Sequence, residues 1–229
     1  NRKNILRLTG GIGFRVVNIF TEEHAAFTGT RQLLIKEELK PETSWNGNLN
    51  YVKKFLFINN AFLSVDFSGF YTYFTNQILP DYDSDPNSII YDNLKGYSIS
   101  KGISLNTDYS LNNTLNINAG LTVMDVSFTE GDVTQRQILS ERFTSTWGVT
   151  YKIKKHNLKF GYTGNLFGPM LLPTLGENDP RDFKSPYWSI QNIQVTKTFK
   201  NGFEVYIAVK NLLNFTPPAN SIWAAHDPF

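Results

Sequence analysis

The chain contains no cysteine. That excludes disulfides, thiolate metal sites and a cysteine nucleophile. It contains no uninterrupted apolar run of about 18 residues, so a transmembrane helix is excluded. It has almost no net charge, since 22 basic residues against 20 acidic ones leave a formal +2. No Lys/Arg run carries interleaved aromatics, and nothing points to nucleic acid as a partner. Residues 1–8 are polar and enter a strand directly, without the apolar core of a signal peptide. A Gly-rich phosphate cradle, a metal-hydrolase His motif and a spaced Ser/His/Asp grouping are all missing, so the sequence makes no case for catalysis.

What is present is strand-like alternation, repeated over about nine segments of roughly ten to fifteen residues. They cover 5–15, 44–55, 61–77, 97–111, 114–129, 142–153, 158–167, 188–199 and 203–213. The stretch after Thr114 is the clearest. Leu115, Ile117, Ala119, Leu121 and Val123 alternate there with Asn116, Asn118, Gly120 and Thr122. In each segment one face is apolar and the other is mostly Asn, Ser, Thr, Gln and Gly. Every second connection is short, at Asn59-Asn60, Asn112-Asn113, His156-Asn157 and Asn201-Gly202. The intervening ones (16–42, 78–94, 130–137 and 168–186) are long.

Long two-faced strands with short and long connections in alternation predict an all-β fold: an antiparallel, up-and-down transmembrane β-barrel segment. A tilted strand needs about nine to eleven residues to cross the hydrocarbon, whereas strands of soluble domains average about five or six. Aromatics at 14% suit girdles at the two membrane interfaces. A soluble β-sandwich with an aromatic core is the competing fold. With the short turns on the periplasmic side, the first and ninth strands both run outward. A closed bacterial barrel has an even strand number, so further strands are expected outside the sequence. Arg7, Arg15, Glu204 and Lys210 fall on the polar face. Lys101 falls on the apolar face, and either a bulge near Gly102 or snorkelling of its long stem would relieve that conflict.

Three segments carry a family resemblance. Phe14-Arg15-Val16-Val17-Asn18-Ile19 stands at a strand-to-loop exit. Leu39-Lys40-Pro41-Glu42-Thr43-Ser44 precedes the returning strand. Val209-Lys210-Asn211-Leu212-Leu213-Asn214 ends the last strand. In order and spacing they resemble the Phe-Arg box, the Pro-Glu-x-Ser box and the Val-x-Asn-Leu-x-Asn ending of the penultimate strand of TonB-dependent outer-membrane receptors. The first box lacks the family's usual Pro and the second its leading Asn-Pro.

The resemblance implies that residues 1–229 are the C-terminal portion of a receptor barrel of the roughly 22-stranded, plugged type, with the plug domain and final strand outside the sequence. It implies a Gram-negative outer membrane with its lipid, a partner plug, the TonB–ExbB–ExbD energising complex, and in some members a surface lipoprotein. It implies import of a ferric siderophore, haem or cobalamin, with no required cofactor. A glycan importer of the same family, a passive porin-like barrel and a soluble all-β binding module are the alternatives.

Candidate site residues follow from the expected loops and lumen. His24 would offer an imidazole to haem iron, as receptors for haem often do from that loop. Phe20, Phe27, Tyr82 and Trp223 could stack on a planar ligand, and Arg15 could meet an anionic one. Arg7, Glu204 and Lys210 would face the plug or the lumen. Asp81, Asp83 and Asp85 place carboxylates at every second residue, like the front half of a Ca²⁺ loop, though without its sharp-turn Gly and distal Glu.

Overall fold

The computed structural model describes residues 4–16, 32–36, 39–58, 60–81, 84–85, 87–172 and 182–216. Its strands are β1 (Asn4–Arg15), β2 (Gln32–Ile35), β3 (Glu42–Leu56), β4 (Ala61–Thr75), β5 (Ile78–Asp81), β6 (Ser88–Asn93) and β7 (Gly96–Leu111). There follow β8 (Leu115–Glu130), β9 (Val133–Arg136), β10 (Phe143–Ile153), β11 (Leu158–Phe167), β12 (Gln191–Thr198) and β13 (Glu204–Val209). The sole helical element among the described residues is a 3₁₀ turn, Lys154–His156.

One antiparallel sheet dominates, in the order β1-β3-β4-β7-β8-β10-β11-β12-β13, with β9 added to the edge of β8. Those nine strands are the nine segments expected from alternation, each paired with its sequence neighbour in the wall. The short connections are tight because their residues tolerate left-handed backbone. Asn112 and Asn113 have φ of 48° and 54°, and Gly202 has 84°. Thr114 N–H closes the first of these turns onto Leu111 O at 2.8 Å.

The register aligns the long apolar rows of neighbouring strands on one side, while Phe62, Phe70, Phe74, Met124 and Phe128 fall on the other. Leu8 lies opposite Leu49, Phe67 opposite Leu105, and Leu105 opposite Leu121. Among the described residues no second sheet covers this face. Leu8 is 81% exposed and Ile207 75%. A soluble sandwich would bury such rows between two layers; this sheet leaves them open, as a lipid-facing wall does. An aromatic ladder, Trp45–Tyr73–Tyr97, stacks along the same face with centroids 6.3 and 5.4 Å apart.

The structure departs from the alternation pattern at several points, among them the last strand, which ends at Val209 rather than Leu213. The long connections contain β2, β5, β6 and β9, which no periodicity announced. β2, β6 and β5 form a separate three-stranded sheet in which β2 runs parallel to β6. The strand expected from Trp188 starts at Gln191, and Trp188 contributes an isolated bridge to Phe167. No bulge occurs at Gly102: pairing runs unbroken through Lys101 opposite Asp125 and Gly102 opposite Met124. Lys101 therefore stays on the apolar face.

Candidate functional site

The first two sequence boxes meet at the rim where β1 ends and β3 begins. Arg15 lies opposite Glu42 in the register. Its Nε donates to Glu42 Oε2 at 2.6 Å and its Nη2 to Oε1 at 3.1 Å. The Glu42 side chain is 6% exposed and that of Arg15 51%. Glu42 Oε1 also accepts the Ile78 N–H at 2.7 Å. The pair thus ties the rim of the wall to the first residue of β5. Arg15, expected to meet a ligand, spends its guanidinium largely on this clamp.

The small sheet over the rim has its own core of Ile78, Ile89 and Tyr91, with Leu39 packed against it. Polar side chains fasten it. Asn93 Nδ2 donates to Lys40 O at 2.9 Å and to Asn76 O at 2.7 Å, and its Oδ1 accepts Lys40 N–H at 2.6 Å. Lys36 pairs with Asp92. That hydrogen bond from the ammonium, helped by its charge, holds the Asp92 carboxyl below the usual range against the opposing effect of burial.

The polar face of the wall carries a network low on its first strands. Arg7 Nη1 donates to Asn50 Oδ1 at 3.1 Å, and Asn50 Nδ2 donates to Asp66 Oδ1 at 2.6 Å and Ser68 Oγ at 2.9 Å. At the other end of the sheet, Glu204 Oε1 accepts from Thr198 Oγ1 at 2.8 Å. Lys210 lines a groove of about 720 Å³ together with Lys152, Lys159, Asn116, Asn192 and Gln194. Lys152 and Lys159 sit directly opposite each other. Like charges so placed repel, and an acidic group resting between them would remove the cost. Sequence reasoning missed this pair, although its signal was there: Lys152 and Lys159 each stand two residues outside the turn of residues 154–157 and so face one another.

The third box owes its form to Asn211. That residue has φ of 49° and stops the last strand. Its Nδ2 donates to Phe215 O at 2.9 Å, its Oδ1 accepts Phe215 N–H at 3.0 Å, and its own N–H reaches Asn192 Oδ1 at 3.1 Å. The following chain turns so that Phe215 stacks on Trp188, which stacks on Phe167, at 5.8 and 4.0 Å.

In the acidic loop, Asp81 Oδ1 accepts Ser84 N–H at 3.0 Å and Asp85 Oδ1 accepts Asn87 N–H at 2.9 Å. The other carboxylate oxygens are bonded by the hydroxyls of Ser84 and Ser88. Phe20, His24, Phe27, Tyr82, Asp83 and Trp223 lie outside the described residues.

This arrangement, a two-faced wall with family boxes at its rim, has a counterpart among known proteins. A family model described as TonB dependent receptor-like, beta-barrel, matches residues 12–212. The chain belongs to that family. No curated protein matches it. Several solved structures do. The FrpB iron transporter from Neisseria meningitidis (F3-3 variant) aligns at 14% identity and a TM-score of 0.67, over 97% of this chain and 35% of that one. The copper transporter OprC aligns at 16% and 0.69, over 94% and 32%. The ferric-catecholate import receptor Fiu from K12 E. coli aligns at 11% and 0.69, over 95% and 30%. At such identities the likeness is one of fold. The chain spans about a third of the length of these relatives.

Proposed function

We propose that this chain forms the C-terminal part of the wall of a Gram-negative outer-membrane receptor. That receptor imports a scarce nutrient of the ferric siderophore, haem or cobalamin class, with TonB–ExbB–ExbD supplying the energy. The observation that carries this reading is the two-faced sheet itself. One side presents uncovered apolar rows to lipid, and the other presents amides, hydroxyls and facing lysines to an aqueous lumen. Strands alone can satisfy every backbone group in lipid when the sheet closes. The rest of the closed barrel would come from sequence outside this chain, as would a plug whose acidic groups meet Lys152 and Lys159. Arg7, Glu204 and Lys210 face the same lumen and would meet plug or passing ligand.

Relatives named as transporters of iron and copper support import, and the polar lumen favours a hydrophilic cargo. The test is uptake by cells carrying or lacking the complete receptor, using iron delivered by siderophores, haem and cobalamin, with and without a protonophore. Saturable uptake of one class, lost with the receptor and lost with the protonophore, is expected. Unsaturable uptake of unrelated small solutes that survives the protonophore would establish a passive barrel instead. Saturable uptake of an oligosaccharide alone would assign the receptor to glycans.

A further inference from the structure

The apolar face carries one tier of charge that its surroundings do not explain. Lys101 on β7 lies opposite Asp125 on β8, both among apolar neighbours. Beside Asp125 the chain leaves the edge of β8 and rejoins it. Gln137 N–H bonds Val126 O at 2.9 Å, and Met124 N–H bonds Arg142 O at 3.0 Å. The gap between these two bonds brings Arg142 Nη2 to 4.0 Å from Asp125 Oδ1. Arg136 and Glu141 stand at the same gap. The Arg136 Nε is buried without a hydrogen-bond partner among the described residues. Burial, with the Arg142 charge behind it, pushes the Arg136 guanidinium below its ordinary value, against the pull of Asp125 and Glu141. Three cations therefore face two carboxylates, and the tier keeps an excess of positive charge.

Depth decides what this excess meets. Lys101 and Asp125 stand ten residues up from the turn that joins Leu111 to Leu115. At about 3.3 Å per residue and a tilt of about 40°, that is about 25 Å along the barrel axis, the height of the apolar band. The tier stands at the outer edge of the hydrocarbon, where lipid headgroups begin. In mid-hydrocarbon an uncompensated Lys or Arg would be costly, whereas at headgroup level the same charge attracts anions.

We propose that Lys101 and Arg142, with the charge of Arg136 behind them, form a binding site for the phosphate group of an outer-leaflet lipid, with Ile103 and Val123 below it against the acyl chains. The inference rests on the outward-facing membrane reading above, but not on the identity of the cargo. Asp125, opposite Lys101 and 4.0 Å from Arg142 Nη2, lowers the net positive charge of the site.

The complete receptor, purified from membranes and delipidated, is titrated in detergent with phosphatidic acid, and binding is read by native mass spectrometry. Diacylglycerol serves as the neutral control and inorganic phosphate as the competitor. Binding of phosphatidic acid is expected to weaken about tenfold or more in Lys101→Gln/Arg142→Gln. It is expected to tighten in Asp125→Asn and to stay unchanged in Lys53→Gln, whose lysine lies on the same face near the short turns, over the Phe55 ring. A gel shift on heating identical to wild type establishes that each variant is folded. Equal binding by Lys101→Gln/Arg142→Gln and wild type would overturn the site. So would equal binding of diacylglycerol, and displacement of the lipid by inorganic phosphate would show a free-anion site instead. Cargo uptake by the same variants is scored separately, so loss of lipid binding and loss of import are distinguishable.

Discussion

Arg15 and Glu42 join the two sequence boxes of the rim through a bidentate ion pair, and Glu42 hands the same carboxylate on to the backbone of Ile78. Twenty-six residues of loop leave and return between these two positions. The pair therefore fixes where the loop begins, where it ends and where the next outer loop starts.

Removing the carboxylate should loosen that rim locally. Glu42→Ala leaves the guanidinium without its partner and a buried Ile78 N–H without an acceptor, a loss of about 1–3 kcal/mol. Glu42→Gln retains an acceptor for Ile78 and should fall between wild type and Glu42→Ala. Hydrogen exchange of the Glu42–Trp45 amides and of the Ile78, Leu79 and Asp81 amides in the complete receptor reads this opening. Protection equal to wild type in Glu42→Ala would contradict the clamp.

The wall strands were legible because a membrane strand must alternate without interruption over its whole length. Leu115 to Val123 shows this directly. The small sheet over the rim was not legible, because β2 and β5 have four residues each and β2 finds its parallel partner far along the chain. Four residues carry no measurable period, and the pairing depends on the rim clamp that brings the segments together. Glu42 was visible as part of a sequence box, yet its role as a shared acceptor depends on the position of Ile78, which no spacing reveals. Of the two reliefs expected for Lys101, a bulge at Gly102 or snorkelling, the bulge is absent for a related reason. A lone lysine on an apolar face argues for a break only if the face is apolar at that height, and Asp125 opposite makes it a charged tier.

Trp147 lies across from Gly164 on the apolar face. A Cβ at Gly164 would come within 2.4 Å of the Trp147 ring, which is rigid and must move. Gly164→Ala should lower the midpoint of heat-induced unfolding on gels by an amount corresponding to about 1–3 kcal/mol. Trp147→Ala in the same chain should remove most of that effect, as coupled neighbours do. Gly69→Ala, where a Cβ meets nothing, should be nearly silent. Equal effects at Gly164 and Gly69 would refute the contact.

The Lys36–Asp92 pair makes the small sheet sensitive to acid. The folded Asp92 carboxyl titrates below its ordinary value, first because of the hydrogen bond from Lys36. Its contribution is therefore complete above the unfolded value, about 3.9, and is lost as pH falls through the folded one. Exchange at Leu34 and Ile90, corrected for intrinsic rates, should accelerate below about pH 4. Asp92→Asn should already be fast at pH 6 and lose this dependence.

Haem as cargo would need an axial ligand, and His24 is the imidazole in the loop between the first two boxes. His24→Ala should then abolish growth on haem as iron source and reduce haem affinity about tenfold or more. Growth on haem unchanged by this substitution would exclude His24 from the site.

The two-faced wall is tested most directly by a cysteine scan of β8 in the complete receptor, since this segment contributes no thiol of its own. Single cysteines at 115 through 123 are labelled in membranes with a lipid-soluble and with a water-soluble maleimide. Alternation is predicted: positions 115, 117, 119, 121 and 123 react with the lipid-soluble reagent, and 116, 118, 120 and 122 with the water-soluble one. Uniform reaction of both sets with the water-soluble reagent would contradict a membrane wall.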